Sequence, residues 1–408
     1  MRTYRQLFRT PEFTPLLLAS AGQTAAQTVS GLALGLLVFD RTGSALLSSL
    51  AVFGPAPAQL LGAATVLSGA DRLPPRAALT GLSLLFAAGT AVQALPGLPV
   101  WGVFAALLLL GVVGSVGGGV RYGLLNEVLT RDGYLLGRSV LSMSVGIIQI
   151  CGFALGGALV AVLSARGTLL LAAGLYLPAA AVTRFGLRRR PPRGTGPASV
   201  TETWRTNALL WSSAPRRYVY LALWLPSGLI VGAESLYVPY SPGHAGLLFA
   251  CGAVGMLAGD AVAGRLLPAG RRDRLAVPLC VLLAAPYLLF AFEPALPVAL
   301  ALVTVATFGY AAGLLLQERL TALTPDQLSG QALGLHSSGM LAGQGAGAAL
   351  AGAVAELTSP ATGMATAAAA SLAATLLLAP GLRRPRPRPD RPTAAKPRSN
   401  RPARRGGW

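Results

Sequence analysis

The sequence predicts an all-α integral membrane protein: twelve transmembrane helices in two six-helix bundles related as parallel repeats, with both termini cytoplasmic. A deficit of charge, the spacing of the charges that remain, and an internal repeat carry that reading. Of the 408 residues, 53% are hydrophobic and only 12% charged, and the mean hydropathy is +0.59. Soluble domains carry about 25% charged residues, so a water-soluble globule of this length could not cover its surface. The same composition excludes a disordered chain, and three cysteines exclude a disulfide-stapled scaffold. The 50 glycines follow no Gly-X-Y period, which excludes collagen.

The uncharged intervals give the elements in order. They run 13–39, 42–70, 77–120, 139–165, 167–183, 218–233, 235–259, 275–292, 294–317, 327–355 and 357–382. The first follows Arg2, Arg5 and Arg9 and is longer than the 7–15 residues of a signal-peptide core, so a retained helix is expected. The interval 77–120 is too long for one crossing and is cut by Leu95-Pro96-Gly97-Leu98-Pro99, a turn signal. The stretch 218–259 is cut by Tyr240-Ser241-Pro242-Gly243-His244, while Glu234 falls inside an otherwise apolar run. Each interval is continuous rather than alternating over about 10 residues, which fits helices and not barrel strands.

Basic residues set the expected orientation. With a cytoplasmic N-terminus, 31 of the 33 Lys and Arg residues fall on the inside and only Arg41 and Arg166 outside. The expected organisation is a first bundle over 1–187, a cytoplasmic loop over 188–217, a second bundle over 218–382, and a disordered basic Pro/Arg-rich tail over 383–408. The net charge of +19 is then a topology signal, with anionic lipid as the expected contact of the basic loops and tail. The basic residues lack aromatic interleaving, so nucleic acid is not an expected partner. Cys151, Cys251 and Cys280 lie inside spans without metal-ligand spacing and read as small buried hydrophobes. No cofactor or metal is expected.

The two halves repeat. Gln149, Gly152, Ala154, Leu155, Gly157 and Ala158 recur 195 positions later as Gln344, Gly347, Ala349, Leu350, Gly352 and Ala353. Leu36, Val38, Gly43, Ala45 and Leu47 recur 200 positions later as Leu236, Val238, Gly243, Ala245 and Leu247. Such a repeat, with the same topology in each half, implies an axis along the membrane normal.

This organisation resembles the major facilitator superfamily of secondary transporters over nearly the whole chain except the tail. Leu37-Val38-Phe39-Asp40-Arg41-Thr42-Gly43-Ser44 looks like the end of the first helix in its bacterial drug and metabolite exporters. Asp71, Arg72 and Arg76 look like its loop motif between the second and third helices, with Gly264, Arg271 and Arg272 as the second-half counterpart. Gly152-x-x-x-Gly156-Gly157 resembles the fifth-helix motif of drug/proton antiporters. The resemblance implies alternating access around a central cavity lined by the first, fourth, seventh and tenth helices. It also gives the Asp71 loop a conformational, gating role at the inner interface.

An ionisable group near the bilayer midplane is a candidate for substrate or proton binding. Glu234 and Asp260 meet that description at different depths; Asp260 serves equally as a structural charge near Gly264-Arg265. Gln23 and Gln27 share a face of the first helix at i and i+4, fitting either substrate hydrogen bonding or interhelical contact worth roughly 0.6–2 kcal/mol. Gln149 and Gln344 sit beside glycine-rich faces and read first as interhelical contacts. Gly152, Gly156, Gly157, Gly343 and Gly347 read as packing surfaces. Trp224, Tyr237 and Tyr310 could stack a substrate ring or anchor an interface.

The expected function is secondary active transport of a small amphipathic organic molecule across the cytoplasmic membrane, coupled to protons and directed outward. No Gly-x-x-x-x-Gly-Lys-Ser/Thr loop occurs, which excludes ATP-driven pumping by this chain alone. A transporter-shaped sensor or assembly partner is one competitor. A membrane-embedded enzyme is the other, although His244 and His336 are the only histidines and fall on opposite faces.

Overall fold

The computed structural model describes residues 4–65, 74–129, 131–191, 200–265, 269–325 and 328–382, and these are helical without strands. The basic tail, Asp71 and Arg72 lie outside the described residues. A short α1 (Tyr4–Phe8) precedes α2 (Phe13–Thr42), and the next rod is broken at Gly54 into α3 (Ala45–Phe53) and α4 (Pro55–Thr65). Then come α5 (Pro75–Gln93), α6 (Val100–Val128) and α7 (Arg131–Gly186). After α8 (Val200–Ser212) the second half begins with α9 (Ala214–Ser235), the single turn α10 (Tyr237–Tyr240) and α11 (Ala245–Arg265). Next, α12 (Ala269–Ala284) runs into a 3-10 segment, Ala285–Phe292. A second 3-10 segment, Gly309–Ala311, joins α13 (Leu296–Phe308) to α14 (Ala312–Ala322). The last two helices are α15 (Ser329–Leu357) and α16 (Pro360–Leu382). Among the described residues, eight stretches are long and apolar enough to cross a membrane.

Helix α7 is two rods. Ser164 inside it has φ 66° and ψ 167°, outside helical geometry. Before the break, Gly152 lies against Thr28 and Gly156 against Leu32, so that rod runs parallel to α2. After it, Ala179 meets Gly22 and Gly186 meets Pro15, so the chain has reversed. The Ser164 carbonyl accepts from Thr168 Oγ1 at 2.8 Å, starting the return rod.

The repeat reappears as equivalent contacts. Gly152 packs on Thr28, and their counterparts Gly347 and Gly228 pack on each other. Between the halves, Gly157 of α7 meets Gly246 of α11, and the counterparts Gly352 of α15 and Leu46 of α3 also meet. At Gly246 a Cβ would stand 2.7 Å from Gly157 Cα and 2.8 Å from the Phe153 carbonyl, so only glycine allows this approach.

Burial differs between the two ends of the molecule. One core joins both halves: Leu32, Leu36 and Val38 of α2 with Leu236, Tyr237 and Leu248 of the second half. At the other end the cores are separate, one around Leu7, Phe13 and Leu125, the other around Val219, Leu316 and Leu382. The halves are therefore sealed where α2 ends and apart where α2 and α9 begin. Across the sealed end, Ser44 Oγ and the Leu46 N–H donate to Glu356 at 3.0 and 3.2 Å, and Ser49 Oγ donates to the Ala348 carbonyl at 3.1 Å. Phe249 of the second half stacks on Phe153 of the first, 4.7 Å between centroids.

Three features depart from the sequence expectation. The segment read as a polar loop contains α8, whose buried Leu210 and stacked Trp211 dock it on Tyr220 and Trp224. Apolar residues spaced along one face of a short helix are diluted in a polar stretch, which hid it. Arg121 and Arg319, counted with the inside cations just beyond the uncharged intervals 77–120 and 294–317, lie inside α6 and α14. Arg319 is buried and donates to the Leu382 carbonyl at the end of α16, a favourable place for a cation beside exposed helix carbonyls.

At the separated end, Glu12 stands just before α2, is buried, and turns its carboxylate away from the helix end. Arg190 reaches it through two nitrogens, at 2.5 and 2.8 Å, and the Arg188 N–H donates at 3.2 Å. Desolvation by burial pushes the Glu12 carboxyl up, but the Arg190 and Arg188 hydrogen bonds and charges together hold it below its ordinary value.

Candidate functional site

Glu234 stands in the last turn of α9, immediately before the helix breaks at Leu236. Pro239 explains the break, because a proline lacks the N–H and crowds the turn before it. The Tyr287 and Tyr310 side chains come within hydrogen-bonding reach of its carboxyl, and Tyr237 and Tyr287 hydroxyls bond each other. Tyr310 Oη is buried without a formed hydrogen bond. Tyr287 and Tyr310 occupy the two 3-10 segments, and Tyr237 opens α10. A carboxyl and three phenols thus meet where three rods lose regular helix geometry. Side chains at such breaks gain freedom that a continuous helix denies, which is how ion and substrate sites are built in many membrane proteins. Tyr237 and Tyr287 are fully buried, while Glu234 is half-buried. Chemically, the cluster can hold a proton shared among a carboxyl and phenols, or oppose a cation.

All four residues belong to the second half, so this cluster is not assembled across the interface. Asp260 is half-buried on α11 and stands apart from it. Gln23 is engaged already: Arg121 Nη2 donates to its Oε1 at 2.6 Å, joining α6 to α2. This contact was missed in the sequence because Arg121 was counted only as one of the inside cations. Gly123 and Asn126 follow Arg121 closely, so local sequence offered no signal that the helix continues past it. Gln27, one turn further, is exposed and lines a cavity of about 210 Å³ inside the first half. Gln149 and Gln344 are half-buried on α7 and α15.

Gly152 and Gly156 pack within the first half, Gly343 and Gly347 within the second against Gly228 and Gly232, and Gly157 between halves. Arg76 donates to the Leu187 carbonyl at 3.4 Å, a contact inside the first half. Among the described residues, no group of three His, Cys, Asp or Glu side chains could hold a metal.

The Major Facilitator Superfamily profile matches residues 237–407. No curated protein matches the chain in sequence. Solved structures do match in fold. A POT family transporter in complex with a thioalcohol-conjugated peptide has TM-score 0.70 and 12% identity, over 91% of this chain and 96% of that one. A bacterial homologue of the human lysosomal transporter Spinster, inward-facing and unoccupied, has TM-score 0.65 and 14% identity over 91% and 96%. A mutant of the nucleoside transporter NupG has TM-score 0.72 and 14% identity over 90% and 99%.

Proposed function

We infer that this chain is a multi-pass secondary transporter of the Major Facilitator Superfamily, whose profile matches residues 237–407, with twelve crossings and cytoplasmic termini. The crossing count is supported by the eight long apolar stretches, by the reversal at Ser164 that divides one of them, and by three further rods. Those are α2, the broken pair α3/α4, and α15; glutamine, threonine and histidine side chains lower the apolarity of α2 and α15. The positive-inside bias places the separated cores toward the cytoplasm, so the conformation is inward-facing. Rocking of the halves would then break the sealed contacts at Gly157/Gly246 and Glu356/Ser44.

The substrate is a small amphipathic organic molecule. Transport is coupled to protons through Glu234, with the phenols of Tyr287 and Tyr310 donating to its charged form and releasing it when it is neutral. Asp260 is the second carboxyl on the pathway. The outward direction rests on the resemblance of Leu37–Ser44 and Gly152/Gly156/Gly157 to bacterial exporters. The cell membrane is the site of action, with anionic lipid against the basic inner loops. The observation that carries the proton step is the meeting of Glu234 with two tyrosines at helix breaks.

Flux of a panel of neutral, cationic and anionic amphiphiles in proteoliposomes, with and without a pH gradient, tests this reading. Gradient-dependent movement of at least one class is expected. Absence of flux across the panel would favour a sensing or assembly role.

A further inference from the structure

We propose that the cavity inside the first half is a binding site for an uncharged, fragment-sized organic molecule whose oxygen accepts a hydrogen bond from Tyr176. The cavity, of about 210 Å³, lies among α2, α3, α4, α5, α6 and the return rod of α7. Its polar lining is Gln27, Ser30, Gln59, Thr90, Gln93 and Tyr176. None of the described lining residues is charged. A charged ligand would enter without a counter-charge, and desolvating an unpaired ion inside a bundle is prohibitive.

Tyr176 marks the place of the ligand's acceptor. It is 0% exposed, and its Oη lies in the cavity wall with no hydrogen bond formed. The Ser30 and Thr90 side chains come within reach of it, while Ser30 Oγ donates to the Gln27 carbonyl at 3.1 Å and Gln93 Nε2 points to the Val103 carbonyl at 3.5 Å. A ligand oxygen that accepts from it would complete a hydrogen bond that the Ser30 and Thr90 hydroxyls approach without closing. The Tyr176 ring is held by stacking on Phe86, 5.5 Å between centroids, so the hydroxyl is fixed in advance. Phe86, Leu107 and Leu110 supply an apolar wall, which suits an aromatic or aliphatic body better than a chain of waters. Drug-sized pockets run to about 300–1,000 Å³; this one takes something smaller. Every lining residue comes from the first half, so the site does not depend on Glu234 or on the transport reading.

Three near-isosteres test it: neutral benzamide, cationic benzamidinium and anionic benzoate. Binding to the full chain in detergent is read by ligand-observed NMR titration, without any flux measurement. Benzamide is expected to bind saturably and at least tenfold more tightly than either ion. Tyr176→Phe should weaken it about tenfold, one hydrogen bond's worth. Gly31→Leu should abolish it: Gly31 lines the cavity, and a Cβ there meets nothing within 4 Å, so the added side chain fills the space without a backbone clash. Equal binding of all three compounds, unchanged benzamide binding in either variant, or no saturable binding because the cavity holds water alone, would each overturn the proposal.

Discussion

Leu34 and Glu234 stand 200 positions apart on repeated helices, and the two halves furnish their surroundings differently. Around Leu34 the first half leaves a cavity lined by amides and hydroxyls, with no charge among its described residues. Around Glu234 the second half places a carboxyl among tyrosines on irregular backbone. One duplicated scaffold has therefore separated neutral hydrogen bonding from ionisable chemistry. The first half does carry an interior cation, Arg121, but binds it to Gln23, away from the cavity lining. The lesson is that a repeat conserves packing, as at Gly157/Gly246 and Gly352/Leu46, more faithfully than it conserves polar content.

Exchanging residues between equivalent places tests that contrast. Leu34→Glu brings the second half's carboxyl into a region without its phenol cluster. It should destabilise the protein by about 3 kcal/mol, the cost of an acid near a helix centre in lipid. Thermal unfolding in detergent and the yield of inserted protein report it, and Leu34→Met should cost less than about 1.5 kcal/mol. A tolerated glutamate would mean that the first-half cavity can host charge.

Gly246→Leu installs the residue found at the equivalent Leu46. Because a Cβ there meets Gly157 Cα at 2.7 Å, the sealed end should be forced apart at about 1–3 kcal/mol. Spin-label distances across that end should lengthen. Unchanged distances would show that the two inter-half contacts are not equally tight.

Ser164 and Ser359 each stand at the turn between the last two rods of their half. Each side chain accepts from the N–H three residues on, Ser164 from Gly167 at 3.4 Å and Ser359 from Thr362 at 3.1 Å, but of the two only Ser164 adopts positive φ, in a region that costs a side chain roughly 1–3 kcal/mol. Ser164→Gly should therefore stabilise by about 1 kcal/mol. Ser359→Gly should destabilise by a few tenths. Equal effects on unfolding would contradict the difference between the turns.

The smallest effect expected is on pH. Glu12 is held below its ordinary value of 4.5 by Arg190 and Arg188. Its contribution is therefore fully present above 4.5 and is lost as pH falls through the lower folded-state value. Acid should loosen α2 from the segment after Gly186, seen as faster hydrogen exchange in the first half, while Glu12→Gln removes that pH dependence. The second half, where Arg319 instead bonds the Leu382 carbonyl, should not respond.

What the sequence made legible was where the chain turns. Interval 13–39 became α2, Leu95–Pro99 became the turn before α6, and Tyr240–His244 separated α10 from α11. These follow from local composition, which is why they could be read. Glu234 was legible as an acid in an apolar run, but its tyrosines were not, because Tyr287 and Tyr310 reach it only through packing of helices far apart in sequence. Arg121 and Gln23 show the limit of a local reading. Gln23 fitted either a substrate or an interhelical contact, and only the fold, by bringing Arg121 of α6 against it, shows the interhelical one. The cavity at Tyr176 had no local signal, since an empty volume is a property of many helices together.

Gradient-driven transport by Glu234→Gln, compared with wild type in proteoliposomes for a substrate the panel identifies, tests the central claim most directly. The amide keeps size and hydrogen bonding while removing the titrating proton. The account predicts that the variant inserts and folds, still exchanges substrate down its own gradient, and no longer accumulates it against that gradient when a pH difference is imposed. Accumulation at the wild-type rate would contradict a proton-carrying role for Glu234.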